Sequence, residues 1–371
     1  MQIGIDAREL CGRPTGVGRY LAHLLTSWDS VPEASAHRFV LFVPAGEPGN
    51  SLPARLNASA LTVETRSIPG GSGTWWEQVH LAAALRSSPP DVLFAPAYTA
   101  PLAVRVPTVL TIHDLSFLAH PEWFPLRMRV RQRLVTTAAA RRARCVLTDS
   151  DFSRDEIVRR LGIAGARVRV VPLGLTRPVG DRLLSPDRAR QPLVLFVGSI
   201  FNRRHLPEMI RAVADVATRH PDIRLEVVGD NRTYPHQDLR EVAQSAGIAE
   251  RTSVRSYVTD DVLAGLYARA GVFVFLSDYE GFGLTPLEAL SYGVPILVGD
   301  TPVAREVYGD AARYVATTDV PGAAEAIETL LFDAEARAGV IARAPGTLAR
   351  YSWDRAGRQT LSALLDAARH D

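Results

Sequence analysis

The chain has 371 residues, 47% hydrophobic and 22% charged, which suits two folded domains with separate cores and excludes a disordered polymer. All 42 basic residues are arginine, so no lysine is present to act as Schiff-base nucleophile, general base or phosphate ligand. Net charge is only +2, but residues 1–180 hold 21 Arg against 14 Asp and Glu, and residues 181–371 hold 21 against 26; the first half favours an anionic partner, and the second does not resemble a nucleic-acid binder.

Cys11 and Cys145 are too few for a disulfide framework or a zinc site, which favours a reducing cytoplasm. The first residues lack the pattern of a signal peptide, and no run of eighteen apolar residues is present. In chain order, strands are predicted at 2–6, 39–43, 61–67, 92–95, 108–113, 145–148 and 167–171, then at 193–197, 224–228, 252–256, 272–276, 295–298 and 313–315. Amphipathic stretches at 17–28, 75–86, 127–143, 206–220 and 261–269 alternate with them, the mark of parallel α/β architecture. Residues 176–192, with three prolines and many charges, read as a linker. Ligands of open parallel sheets sit beyond the carboxyl ends of the strands, so the loops after strands are the places to search.

Four such loops carry chemistry. In "DARELCGRPTGVGRY" (6–20), Gly16 and Gly18 precede a helix and let backbone N–H groups approach an anion, or else serve only a tight turn. In "TIHDLSFLAHPEWFP" (111–125), His113 and Asp114 end an apolar strand, facing a ligand or capping the next turn. In "LFVGSIFNRRHLPEMI" (195–210), Arg203 and Arg204 stand at a helix N-terminus, where cations oppose the dipole; a bound diphosphate removes that conflict. In "YEGFGLTPLEAL" (279–290), Thr285 reads as N-cap, Pro286 as N1 and Glu288 as the third residue of a capping box. Glu280, beside Gly281 and Gly283, has no such structural reading and is placed to accept sugar hydroxyl hydrogen bonds.

Together these segments resemble glycosyltransferase family 4, and the likeness runs along essentially the whole chain. "SDYEGFGLTPLEALSYGVPILVGD" looks like the family's donor-binding segment, with Glu280 and Glu288 as the two glutamates of its E-x7-E signature. "VGSIFNRRHLPEMI" is similar to a segment that usually reads Arg-Lys-Asn, here Arg203, Arg204 and His205. "TGVGRY" and "TIHDLSFLAHPEWF" look most like bacterial polysaccharide mannosyltransferases. The resemblance implies a GT-B fold: two doubly wound Rossmann-like domains facing a central cleft. Its domains are expected at 1–178 and 190–352, with a linker at 179–189 and a final helix at about 353–371 crossing back onto the first.

It also implies a retaining, metal-independent transferase with no cofactor beyond its nucleotide-sugar donor. The expected donor is GDP-mannose, with rhamnose, glucose and N-acetylglucosamine donors open, and the expected acceptor is a saccharide or lipid-linked. By analogy, Glu288 holds the ribose and Glu280 touches the transferred sugar. Gly281, Phe282, Gly283 and Leu284 meet sugar and phosphate, Arg203 and Arg204 neutralise the diphosphate, and Gly16 approaches it from the other domain. His113 lies beside the donor sugar, Asp114 faces the acceptor, and Val258 reaches the base. Residues 125–145 carry seven arginines and no acid, either a solvated face or a surface for peripheral contact with an anionic membrane. The rival readings are a sugar-nucleotide epimerase of the same fold and a non-catalytic sugar-nucleotide-binding protein.

Overall fold

The structure, a computed structural model, describes residues 1–12, 16–46, 61–176 and 190–369. The expected linker at 179–189 lies outside the described residues. The chain divides into two compact units.

The first unit comprises Met1–Ala119, Leu126–Gly174 and Ser352–Asp371. Its strands are β1 (Gln2–Asp6), β2 (Arg38–Pro44), β3 (Thr62–Ile68), β4 (Val92–Ala95), β5 (Thr108–Thr111), β6 (Cys145–Thr148) and β7 (Val168–Val170). All pair in parallel, in the order β3-β2-β1-β4-β5-β6-β7. β4, β5 and β6 are buried at every position, which is why they read as short apolar runs, bounded by threonine in β5 and β6, rather than alternating ones. The strand order reverses between β1 and β4, so the loops after these two strands part and leave a crevice. The strand expected at 108–113 stops at Thr111, whose carbonyl accepts from Tyr98 N of the loop after β4 at 2.9 Å. The stretch 75–86 forms a π-helical segment, Trp76–Leu81, running into an α-helix, Ala82–Ser87. The helices Gly16–Trp28 and Trp353–Arg369 pack together: Trp28 Nε1 donates to Gly357 O at 2.9 Å, and a Cβ on Gly357 would lie 2.2 Å from Ser27 Oγ. Leu361, Leu364 and Ala367 thereby join the core formed by Ile3, Ile5, Leu21, Leu25 and Phe39.

The second unit comprises Leu175–Tyr351 together with His120–Pro125, a segment expected in the first domain. His120 lies edge-on to the Tyr279 ring, 5.5 Å between centroids, which ties the segment there. The strands are β8 (Leu193–Val197), β9 (Arg224–Val228), β10 (Thr252–Arg255), β11 (Val272–Phe275), β12 (Ile296–Gly299) and β13 (Arg313–Val315). They too are all parallel, ordered β10-β9-β8-β11-β12-β13. The order reverses between β8 and β11, so the crevice of this sheet opens between the two segments richest in motif residues. Gly229, just past β9, is needed for close approach, since a Cβ there would fall 1.9 Å from Gly198 O.

Candidate functional site

The second-unit crevice is built from the loops after β8 and β11. After β8 the chain passes Gly198 (φ 139°), a 3-10 turn Asn202–Arg204 and His205 in the left-handed region (φ 49°, ψ 41°), then enters the helix Leu206–Arg219. The backbone reversal turns both arginines inward. Arg203 is 6% exposed and stacks over Phe201, 4.5 Å to the ring centroid; Arg204 lies over Phe275 at 4.8 Å. Aromatic faces hold these two cations where water would otherwise stabilise them.

The loop after β11 supplies their counter-charge. Glu280 Oε1 accepts from Arg204 Nε at 2.8 Å and from Ser277 Oγ at 2.8 Å, and Arg203 Nε is 3.8 Å away. Arg204 also donates to Ser199 O at 2.6 Å. Burial alone would raise the Glu280 pKa, but the Arg204 charge, then that of Arg203, outweighs it and holds the carboxyl below its ordinary range. Glu280 therefore has a structural partner that its sequence context did not announce, and its freedom from a structural role is corrected. Arg203 Nε, by contrast, is buried with no hydrogen-bond partner. Two guanidiniums share one carboxylate, a surplus of positive charge that suits an anion.

The capping-box reading of Glu288 is also corrected. The helix is Leu284–Ser291, with Gly283 at the N-cap and no side-chain cap, so Glu288 is its fifth residue and cannot reach back to the first turn. Thr285 and Pro286 lie inside the helix. Glu288 Oε2 instead accepts from Tyr267 OH at 3.1 Å, and Tyr267 stacks on Tyr292 at 5.1 Å. Gly283 has φ 87°, and Tyr308 OH donates to its carbonyl at 2.8 Å; a Cβ there would sit 2.1 Å from that oxygen. Phe282 is buried edge-on against Tyr351 at 5.1 Å. With no side chain capping it, this helix N-terminus presents the N–H groups of Leu284 and Thr285 to an anion, Pro286 having none. Val258 is half-buried between β10 and the helix Asp260–Arg269.

His205 is held by acids at both ring nitrogens: Asp278 Oδ2 at 2.5 Å and Glu208 Oε2 at 3.5 Å. Thr317 Oγ1 donates to the other Asp278 oxygen. Burial would lower the His205 pKa, but the hydrogen bonds to Asp278 and Glu208 raise it to about 9, so the ring is an imidazolium at neutral pH.

In the first unit, His113 is fully engaged. Its Nδ1 meets Asp149 Oδ2 at 2.8 Å, its Nε2 donates to Pro96 O at 3.1 Å, and Tyr20 and Tyr98 lie edge-on to the ring. Burial works against protonation, yet the Asp149 charge and hydrogen bond raise the His113 pKa. With both nitrogens occupied, the ring anchors the loops after β4 and β5 to β6. Asp114 Oδ1 accepts from Ser116 N at 2.8 Å and from Ser116 Oγ at 2.7 Å, the turn-capping role that its position allowed. Gly16 is exposed at the start of its helix, with open space where a Cβ would stand.

A cavity of about 440 Å³ lies at the crevice of this sheet, lined among others by Arg8, Tyr98, Thr99, Arg131, Gln132 and Thr136. Arg8 is held by Glu77 Oε1 at 2.6 Å and Asp6 Oδ2 at 3.3 Å, and Thr99 Oγ1 donates to the same Glu77 oxygen at 2.7 Å. Burial lifts the Asp6 pKa to about 6, with Arg8 opposing it. Gln132 Oε1 and Thr136 Oγ1 are buried without partners. Tyr98 adopts φ 60°, a conformation that costs a non-glycine residue energy and gathers at functional sites. Sequence reasoning missed Arg8, Glu77, Asp149, Ser277, Tyr267 and Tyr308. Ser277 sat beside the recognised motif, whereas Tyr308 lies well downstream of Gly283 with no local signal.

Comparison with known proteins fits this geometry. A family model described as "Glycosyltransferase Family 4" matches residues 14–176, and one described as "Glycosyl transferases group 1" matches residues 185–346, so between them they span most of the chain. The chain is 29% identical over 268 residues to O-antigen chain mannosyltransferase B of Escherichia coli, covering 69% of each protein. It is 29% identical over 240 residues to the GDP-mannose:cellobiosyl-diphosphopolyprenol alpha-mannosyltransferase of Komagataeibacter xylinus, covering 62% of this chain and 56% of that one. The crystal structure of Anabaena Alr3699/HepE in complex with UDP and glucose superposes with a TM-score of 0.73 at 20% identity, over 98% of this chain and 99% of that one. Two all-parallel Rossmann-like units, matched over their length by both models, make this chain a GT-B hexosyltransferase of glycosyltransferase family 4, similar to the mannosyltransferases of that family.

Proposed function

We propose that the protein transfers mannose from GDP-mannose to a saccharide or lipid-linked acceptor, with retention at the anomeric carbon and without a metal ion. The observation that carries this reading is the buried Arg203–Arg204 pair, facing a single carboxylate and one uncapped helix N-terminus. Breaking the anomeric C–O bond puts negative charge on the departing diphosphate. Two fixed guanidiniums and aligned N–H groups stabilise that charge and take the neutralising part that a divalent cation plays elsewhere. Glu280, clamped by Arg204 and Ser277 and held ionised, is poorly placed to attack carbon and well placed to accept hydroxyl hydrogen bonds from the transferred sugar. Glu288, steadied by Tyr267, holds the ribose hydroxyls. In a same-face displacement the acceptor oxygen bonds to the anomeric carbon as the phosphate leaves, and the phosphate oxygen takes the acceptor's proton.

His113 is not available as a base, since both ring nitrogens are used. Val258 meets the base through its backbone. Mannose is favoured because the relatives quoted above are mannosyltransferases; one of them, by its name, uses GDP-mannose and a diphosphopolyprenol-linked acceptor.

Proton NMR of incubations with GDP-mannose and candidate acceptors tests the reading. Release of GDP with an α-linked product is expected. An inverted product, or no nucleoside diphosphate released from GDP-, UDP- or dTDP-sugars, would overturn it; donor conversion without acceptor would mark an epimerase.

A further inference from the structure

Tyr308 ends the helix Pro302–Tyr308 and is 2% exposed, yet its hydroxyl reaches a turn 25 positions earlier in the chain. It donates to Gly283 O at 2.8 Å, and a Cβ on Gly283 would lie 2.1 Å from the hydroxyl, so only glycine allows the approach. The backbone behind Tyr308 is itself anchored. Thr347 Oγ1 donates to Tyr308 O at 3.3 Å, while the Tyr351 hydroxyl and the Arg350 guanidinium donate to Val307 O at 2.8 and 2.6 Å. Burial, reinforced by the negative charge of Glu280, pushes the Tyr308 phenol well above its ordinary range, so it stays a neutral donor.

Peptide geometry decides what this hydrogen bond fixes. Gly283 O and Leu284 N–H belong to one planar trans peptide and point in opposite directions. Gly283 stands at φ 87°, ψ 69°, and glycine has other backbone states within easy reach, so rotation there would swing the Leu284 N–H away. Pinning the carbonyl therefore aims the N–H. Leu284 opens a helix with no side-chain cap, and Pro286 in its first turn has no N–H, so the Leu284 donor carries more of the task.

We infer that Tyr308 is a positioning residue for transfer: by holding Gly283 O it fixes the direction in which Leu284 N–H meets the donor's diphosphate. This rests on the nucleotide-sugar reading above. Aim matters most as negative charge grows on the leaving phosphate, so the hydroxyl acts on kcat and on binding of the released diphosphate more than on donor KM.

Tyr308→Phe removes the hydroxyl and keeps the ring. GDP affinity by isothermal titration falls about 5- to 20-fold, as for a charge-assisted hydrogen bond weakened but not abolished. Guanosine, which lacks the phosphates, binds within about twofold of wild type by ligand-observed NMR; UDP and uridine replace this pair where uridine is the base. In transfer assays kcat falls about 10- to 100-fold while donor KM moves less than about threefold. Tyr314→Phe is the control for a merely structural role. It strips a hydroxyl that donates to Gly309 O at 2.5 Å, just past the same helix, without touching Gly283. Its melting temperature falls, but both affinities and kcat stay at wild-type values. Gly283→Ala, whose Cβ displaces the Tyr308 hydroxyl, reproduces the selective loss and serves where the phenylalanine variant does not fold. Wild-type GDP affinity and kcat in either folded variant overturn the inference, as does an equal loss of GDP and guanosine binding. A wild-type protein that binds no nucleoside diphosphate refutes the nucleotide-sugar reading itself, and the inference with it.

Discussion

Glu280→Gln isolates the charge that the two arginines share. Glutamine keeps the shape of the side chain and an oxygen for Ser277 Oγ, but leaves Arg203 and Arg204 without their carboxylate. The Glu280 and Arg204 side chains are only 12% and 11% exposed. Removing one partner of such a buried pair typically costs about 3–5 kcal/mol. The Arg204 bond to Ser199 O and its packing over Phe275 soften this, so a loss of about 2–3 kcal/mol is expected. For a unit of this size that is a fall in Tm of roughly 4–12 °C by differential scanning fluorimetry. A nucleoside diphosphate brings the missing negative charge, so its stabilising shift is larger for the variant than for the wild type. Transfer nonetheless drops by at least about 100-fold, because the sugar loses its acceptor group while the diphosphate keeps its donors. A wild-type Tm together with a smaller nucleotide shift would refute the reasoning.

Two further outcomes follow from the same site. His205, with its pKa raised to about 9 by Asp278 and Glu208, stabilises the fold fully below the unfolded-state value near 6.5. That contribution is lost as pH rises through about 9, and it amounts to about 2 kcal/mol once partial solvent screening is allowed for. Denaturant melts between pH 6 and 10 therefore steepen in pH dependence for the wild type and flatten for His205→Gln. Tyr267→Phe removes the hydroxyl that donates to Glu288 Oε2 at 3.1 Å, so the donor KM rises about three- to tenfold at unchanged kcat in initial-rate assays.

The alternation of apolar runs and amphipathic stretches made the two parallel sheets legible, because strands buried on both faces must be apolar throughout. Most strand bounds fall within a residue or two of expectation, β5 stopping early because Tyr98 takes its last carbonyl. Site composition was less legible. Thr285-Pro286 carries a strong local signal for a helix start, yet the helix begins at Leu284, where Gly283 in a left-handed conformation is held by distant Tyr308. The Arg204–Glu280 pair joins loops after two different strands, and sequence spacing says nothing about a contact across 76 positions. His113 carries the same lesson: its polar neighbourhood was expected, but its engagement by Asp149 and Pro96 depends on the order β4-β5-β6.

The central claim is that Arg203 and Arg204 hold the diphosphate of a nucleotide-sugar donor. Isothermal titration of GDP and UDP into the wild type and into the Arg203→Gln, Arg204→Gln double variant tests it most directly, with circular dichroism confirming the fold. The account predicts that one nucleoside diphosphate binds the wild type and that the double variant binds it at least about 100-fold more weakly, as expected for loss of two charge-assisted contacts. Equal affinity in the folded double variant would contradict it.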